Sequence, residues 1–288
     1  MRGRLVVVGT PIGNLGDLSP RAARALAEAN VVACEDTRHT KKLLTAAGIT
    51  VERLVAVHQH NEEKAADALV ARMREGAVVA IVTDAGMPAV SDPGERIVRA
   101  AVDAGLRIEV VPGPSAVTAA LALSGLDSTR FCFEGFLPRK GRERGERLEA
   151  LATEPRTAVL YEAPHRLRQT LADVGDACGP DRRIVIAREL TKMFEDVWRG
   201  ALGDAIAHAN DVEPRGEYTL VLEGAPPPEP ASDDAIADAV TRHLAAGLTR
   251  KDAAAAAAAE LGVPKRVAYD AANRASGAPP RADPPRSV

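Results

Sequence analysis

Two short apolar runs, each breaking into a loop of small residues, constrain the fold of this 288-residue chain more than any other feature. Leu5–Val8 runs into Gly9-Thr10-Pro11-Ile12-Gly13-Asn14. Val78–Val82 runs into Thr83-Asp84-Ala85-Gly86-Met87-Pro88-Ala89-Val90-Ser91-Asp92-Pro93-Gly94. A short, unalternating apolar run bounded by turn residues reads as a strand buried on both faces, as in a parallel sheet. In an open α/β sheet, ligands bind just past the carboxyl ends of the strands, and glycine lets them approach the backbone closely. Two such loops in one N-terminal half point to a nucleotide-like ligand held largely by main-chain groups, and so to an enzyme.

The rest of the first 124 residues alternates strand and helix patterns, the signature of a parallel α/β sheet. Ser19 with Pro20 starts a helix over Arg21–Ala29. Val31–Cys34 is the next strand, a helix follows to Ala47 with Gly48 as its stop, and Leu54–Val57 is a further strand. Asn61 caps a helix running through Glu75. Beyond the second loop come a helix near Glu95–Ala104, a strand at Ile108–Val111, and a helix to Ser124 capped by Ser115. The free N–H groups of that last helix can meet a carboxylate or phosphate. Residues 125–224 form a second α/β block, with strands at 131–133, 157–161, 184–187 and 218–222 and helices near 142–152, 164–177 and 201–209. A Pro-rich linker spans 225–232. Residues 233–275 are Ala-rich and helical with turns at Gly247 and Gly262, and 276–288 read as a disordered tail.

Composition narrows the function by exclusion. A net charge of −3 carries no global signature of a nucleic-acid binder, so any basic surface is local. Cys34, Cys132 and Cys178 are few, odd in number and far apart, which fits a reducing cytoplasm. Neither they nor His58, His60 and His165 have metal-ligand spacing, so no metal is expected. The start is too short an apolar run for a signal peptide, and no stretch approaches the ~20 apolar residues of a membrane span. The expectation is a cytoplasmic protein with no membrane partner.

Gly9-x-x-x-Gly13 is neither a dinucleotide fingerprint nor a phosphate loop, and alone it is no more than a strand–helix turn. The Asp84–Asp92 loop is stronger, although two linked turns with Asp caps would also produce it. The larger pattern is more specific. Gly9-Thr10-Pro11-Ile12-Gly13-Asn14-Leu15, Glu35-Asp36-Thr37-Arg38, His60-Asn61-Glu62, Asp84-Ala85-Gly86-Met87-Pro88, Ser91-Asp92-Pro93-Gly94 and Pro112-Gly113-Pro114-Ser115-Ala116 occur in order. Gly135-Phe136-Leu137-Pro138-Arg139-Lys140, Tyr161-Glu162-Ala163-Pro164-His165-Arg166 and Arg188-Glu189-Leu190-Thr191-Lys192 follow. Over roughly residues 4–275 the chain resembles the ribosomal RNA small subunit methyltransferase I family of the tetrapyrrole-methylase-like superfamily.

That resemblance implies a two-domain tetrapyrrole-methylase-like (class III methyltransferase) α/β fold with a small helical C-terminal module. It implies S-adenosylmethionine in the cleft between the domains, a homodimer, and methylation of the ribose 2′-oxygen of a cytidine in the 16S rRNA decoding region. Cofactor contacts are then expected at Pro11, at Asp84, Ala85, Gly86, Met87, Pro88, Val90 and Ser91, at Ser115 and Ala116, and near Tyr161 and Glu162. Two positions depart from the family pattern: Met87 stands where Thr is expected, and Gln59 where Glu is expected.

A ribose hydroxyl is a poor nucleophile at neutral pH, so a base would help. Glu35, Asp36, Glu189 and Lys192, near strand ends, are the candidates; lysine qualifies only if burial lowers its pKa. Salt bridges that shape the cleft are the alternative role for all four. For RNA, or the small ribosomal subunit, Arg139, Lys140, Arg142 and Arg144 form a basic loop, which Arg38 and Arg166 could extend. Lys265 and Arg266 open the second helix of a helix-turn-helix-like pair, which could instead pack a dimer. Two rivals remain: a tetrapyrrole or diphthine-type methyltransferase, and a cofactor-sensing nucleic-acid regulator.

Overall fold

The computed structural model describes residues 3–58, 60–227 and 231–275. Gln59, part of the Pro-rich linker and the 276–288 tail lie outside them. The chain begins β1 (Arg4–Val8), α1 (Pro20–Ala27), β2 (Val31–Cys34), α2 (Thr37–Ala46), β3 (Leu54–Ala56), α3 (Glu62–Arg74) and β4 (Val78–Ile81). It continues α4 (Glu95–Asp103), β5 (Arg107–Val111) and α5 (Ala116–Ser124). These strands form one sheet in the order β3-β2-β4-β1-β5, and every pairing is parallel. All four residues of β2 are buried, as its unalternating apolar sequence requires of a strand covered on both faces. Helices lie on both sides: Leu5, Leu69 and Ile97 anchor one apolar layer, and Val6, Leu26 and Val32 the other. Each such fully buried side chain contributes roughly 1.5–3 kcal/mol of transfer free energy.

The caps explain where the helices begin. The Ser19 hydroxyl accepts from the Ala22 N–H at 3.1 Å, with Pro20 in the first turn. Asn61 stands at the start of α3 but does not cap it by side chain. Its Oδ1 accepts from His58 N and its Nδ2 donates to Ala56 O, so it shapes the preceding turn instead. Ser115 likewise occupies the N-cap position of α5 without a side-chain cap bond.

The second half comprises β6 (Phe131–Phe136), α6 (Arg142–Thr153), β7 (Thr157–Glu162), α7 (Leu167–Cys178), β8 (Arg183–Arg188), β9 (Asp196–Ala201), α8 (Leu202–Asp211) and β10 (Tyr218–Leu222). Its sheet has the order β6-β7-β10-β8-β9. Only β6 and β7 pair in parallel; β10 runs antiparallel to both β7 and β8. Tyr218, the first residue of β10, therefore lies opposite Glu162 and Arg188, the last residues of β7 and β8. Strand β9 was not expected from the sequence.

Residues Met1–Ala225, with both sheets, gather into one compact unit, and Pro226–Val288 into another. The second unit is built from α9 (Asp233–Ala245), α10 (Arg250–Leu261) and α11 (Lys265–Ala275) around Ile236, Val240 and a series of buried alanines. Gly247 (φ +88°) and Gly262 (φ +64°) make its turns, in a backbone region that favours glycine.

Candidate functional site

The loops that follow β1, β4 and β5 are fastened to one another before any ligand is considered. Thr10 and Gly86 exchange backbone hydrogen bonds (Thr10 N to Gly86 O 2.9 Å, Gly86 N to Thr10 O 3.2 Å), and the Thr10 hydroxyl donates to Thr83 O. Gly9 and Gly113 touch backbone to backbone, so a Cβ on Gly9 would sit 2.6 Å from Gly113 N. Buried Glu62 accepts from Gly94 N (2.8 Å) and Arg96 N (3.0 Å), closing the long loop onto the start of α4. Ala89 (φ +68°) and Ser91 (φ +63°) are left-handed without being glycine. Such conformations cost of order 1–3 kcal/mol each and concentrate where a loop must present its backbone.

These loops and the ends of β7, β8 and β10 enclose a cavity of about 360 Å³, within the ~300–1,000 Å³ typical of small-molecule sites. Ile12, Gly86, Ser115, Tyr161 and Leu190 are among its walls, together with Asp92 and Glu217. Among the described residues that line it, none is Lys, Arg or His. Glu162 also lines it, but its carboxylate is tied back to Ala163 N, the Thr170 hydroxyl and Arg166. Burial pushes the Asp92 carboxyl up, and Asp84 and Glu217 add to this against a hydrogen bond with Thr83. The Thr83 hydroxyl also donates to Glu35 Oε2 at 3.2 Å. Burial also pushes the Tyr161 phenol up to about 12, with Asp92 adding to the effect.

A second hollow, of about 430 Å³, shares Ile12, Ala85 and Glu217 with the cavity. It is lined further by Pro11, Leu15, His39, Lys42, Leu43, Asp84 and Lys192. Lys192 Nζ rests 2.8 Å from Glu189 Oε1 and 2.9 Å from Glu217 Oε2, and Glu189 also accepts from Glu217 N. Space favours glycine at 13, and at 216 a φ of +80° does so as well. A Cβ on Gly13 would stand 2.4 Å from Lys192 Cγ, and one on Gly216 would stand 2.5 Å from the Glu189 carboxyl.

Of the residues expected to touch a cofactor, Ala85, Gly86, Met87, Val90, Ser91, Ser115, Ala116, Tyr161 and Glu162 line the cavity. Pro11 and Asp84 line the neighbouring hollow, while Pro88 lines neither. Met87 fills the space against Gly9, its sulfur 2.7 Å from a Cβ built there. The expected bases fare differently. Burial lowers the Lys192 pKa, but the bonds from Glu189 and Glu217 outweigh it and hold it above the ordinary value, so the proviso for a lysine base is not met. Burial opposes, but the Lys192 and Glu217 bonds carry, a lowered Glu189. Arg38 holds Asp36 down to about 2. Glu35 is raised, by burial first and then by Asp92 and Asp84, but it lines neither hollow.

The basic loop needs correcting. Arg139, Lys140 and Arg142 are exposed, but Arg142 and Arg144 lie on α6, and Arg144 is only 7% exposed. Its guanidinium donates to Asp173 Oδ2 (2.7 Å), Pro138 O (2.8 Å) and Thr170 Oγ1 (3.1 Å), which makes it a structural cation rather than a phosphate contact. Arg166 is similarly spent on Leu137 O and Glu162, and exposed Arg38 on Asp36. Lys265 and Arg266 are exposed at the start of α11. Sequence reasoning missed Asp92 and Glu217. Asp92 sits inside a loop already singled out, whereas Glu217 gives no local signal, because only the antiparallel course of β10 brings it to the site. Among the described residues no group of three or more His, Cys, Asp or Glu could hold a metal ion.

Comparison with known proteins agrees with this architecture. Residues 4–206 match the family of Tetrapyrrole (Corrin/Porphyrin) Methylases. The crystal structure of uroporphyrin-III-C-methyltransferase from Thermus thermophilus superposes with a TM-score of 0.56 at 26% identity, covering 77% of this chain and 94% of that one. The ribosomal RNA small subunit methyltransferase I of Xylella fastidiosa (strain Temecula1) is 47% identical over 274 residues, which are 93% of this chain and 98% of the relative. Its namesake in Escherichia coli O157:H7 is 44% identical over 273 residues, 93% and 94% of the two chains. With similarity at that level running nearly end to end, the chain belongs to the ribosomal RNA small subunit methyltransferase I family of the tetrapyrrole methylases.

Proposed function

We propose that this protein transfers a methyl group from S-adenosylmethionine to the ribose 2′-oxygen of a cytidine in the decoding region of 16S rRNA. The observation that carries the reading is the cavity at the strand ends, which is lined by carboxylates and by no basic residue. A dinucleotide or nucleoside triphosphate would bring phosphates there uncompensated. S-Adenosylmethionine brings a sulfonium and an ammonium, which Asp92 and Glu217 complement, and an adenosyl group suited to Ile12, Ala187 and Leu190. The residues present fit the group. Bound there, it supplies an electrophilic methyl on sulfur.

What the chain must add is position, exclusion of water and a destination for the hydroxyl proton. The cross-bonded loops of Thr10 and Gly86 hold the walls fixed, so little reorganisation is needed when the acceptor arrives. Methylation of a ribose hydroxyl would release its proton, which the chain must take up. Our reading assigns that role to Glu217, the carboxylate that lines both hollows. Lys192, held cationic between Glu189 and Glu217, fixes that carboxylate beside the second hollow.

The reading extends to a cytoplasmic homodimer acting on 16S rRNA or the small ribosomal subunit. No helix among the described residues is long and apolar enough to cross a membrane. Met193 and Phe194 are 91% and 67% exposed beside the Lys192 cluster, an apolar surface of the kind an interface covers. The test is incubation with labelled S-adenosylmethionine and undermethylated small subunits, followed by mapping of the modified nucleotide. A single 2′-O-methylated decoding-region cytidine is expected. Labelling of a porphyrinoid in place of RNA would transfer the assignment to a tetrapyrrole substrate.

A further inference from the structure

Two hollows that share a wall differ in charge. The cavity assigned to the methyl donor has no basic lining, whereas its neighbour is lined by His39, Lys42 and Lys192. Lys192 is already neutralised by two carboxylates. The other two basic side chains are not engaged: neither the Lys42 ammonium nor the His39 ring has a hydrogen bond or ion pair among the described residues. Arg38, one residue before His39, is by contrast spent on Asp36. His39, Lys42, Leu43 and Ala46 recur at i, i+3, i+4 and i+7 along α2, so one stripe of that helix is turned to the hollow.

The opposite lip carries Leu15, 56% exposed in a short turn after β1 that buries none of its residues. Leu15 and Ala46 offer apolar surface that the core does not use, Lys42 offers an unpaired positive charge beside it, and the His39 ring offers a hydrogen-bond donor. That pairing matches one unstacked nucleotide, an apolar base face joined to an anionic phosphate. The shared wall of Ile12, Ala85 and Glu217 places such a nucleotide next to the donor cavity.

We propose that this second hollow seats the acceptor nucleotide of a single-stranded RNA, with Lys42 and His39 of α2 holding its phosphate and Leu15 packing against its base. The assignment rests on the methyltransferase reading given above, and it places specificity on α2 and the turn after β1 rather than on the α6 loop.

The experiment compares wild type with Lys42→Glu, His39→Ala and Leu15→Asp, all at exposed positions. Three quantities are measured: S-adenosylmethionine affinity by calorimetry, methylation of undermethylated small subunits, and binding of a single-stranded RNA oligonucleotide of the decoding-region sequence across a salt series. Lys42→Glu is expected to weaken oligonucleotide binding about tenfold and to flatten the log–log salt slope by about 0.7 for each phosphate no longer neutralised. Leu15→Asp should raise the KM for subunits with a wild-type salt slope, and all three should bind S-adenosylmethionine as wild type does. Lys42→Arg should restore binding and slope. Wild-type KM, affinity and slope in Lys42→Glu and Leu15→Asp would overturn the acceptor seat while leaving the methyltransferase reading intact. Failure of wild type itself to methylate subunits would overturn that reading and this inference with it.

Discussion

Asp92 is the residue on which the chemistry of the donor cavity turns. Its carboxyl is held above the ordinary value chiefly by burial, with Asp84 and Glu217 adding to the effect. A cation bound beside it favours the ionised form, so binding expels a proton. Affinity for S-adenosylmethionine should therefore rise with pH through the raised Asp92 value, and Asp92→Asn should flatten that dependence; calorimetry across an acidic pH series checks both. Fold stability moves the other way. Because Asp92 and Glu35 are raised in the folded state, the unfolded chain sheds these protons first as pH rises. Their contribution is lost between the ordinary and the raised values, so Asp92→Asn should stabilise the unliganded protein at neutral pH. Which residues could serve was legible where the sequence crowds chemistry into one loop, as in 84–91. Glu217 was not, because nothing near it in sequence marks it, and its value comes from strands paired across the second sheet.

At the scale of elements, the first sheet was almost fully readable. Val31–Cys34 and the cap at Ser19 follow from local chemistry alone, since an unalternating apolar run or a hydroxyl before a helix needs no tertiary context. The second sheet was less so. Strand β9, Asp-Val-Trp-Arg-Gly-Ala, carries two charged residues and a glycine and pairs on one side only, so neither alternation nor a continuous apolar run marks it. The basic segment 139–144 misled for a different reason. Helix α6 starts inside it and rotates Arg144 inward onto Asp173 and Thr170, a contact the local sequence cannot show. Arg144→Ala should destabilise the fold by about 3–5 kcal/mol, as expected when one partner of a buried pair is removed. Its RNA salt slope should remain that of wild type. Urea unfolding and salt-dependent RNA binding measure the two effects separately.

For the whole molecule, the sequence showed two α/β blocks, a linker and a helical module, and the structure adds how the blocks cooperate. Loops from the parallel sheet and strand ends from the mixed sheet line both hollows, and among the described residues basic side chains line only the second. The helical module carries Lys265 and Arg266 exposed at the start of α11, behind the Gly262 turn. Reversing both charges should weaken RNA binding and reduce the salt slope by about 0.7 per phosphate no longer neutralised, with S-adenosylmethionine affinity unchanged. An unaltered slope would assign the module to a role other than RNA binding.

The most direct test of the donor cavity is calorimetric titration of S-adenosylmethionine into wild type and Gly86→Val. Gly86 has φ +86° and a Cβ site 3.5 Å from its nearest neighbour, Ile12 Cγ2. A valine there distorts the loop at a cost of ~1–2 kcal/mol without displacing the core. The prediction is one site per chain in wild type and none in a Gly86→Val protein that still unfolds cooperatively. Equal binding by both would contradict this placement of the donor, since the ligand would then lie somewhere other than the loop that follows β4.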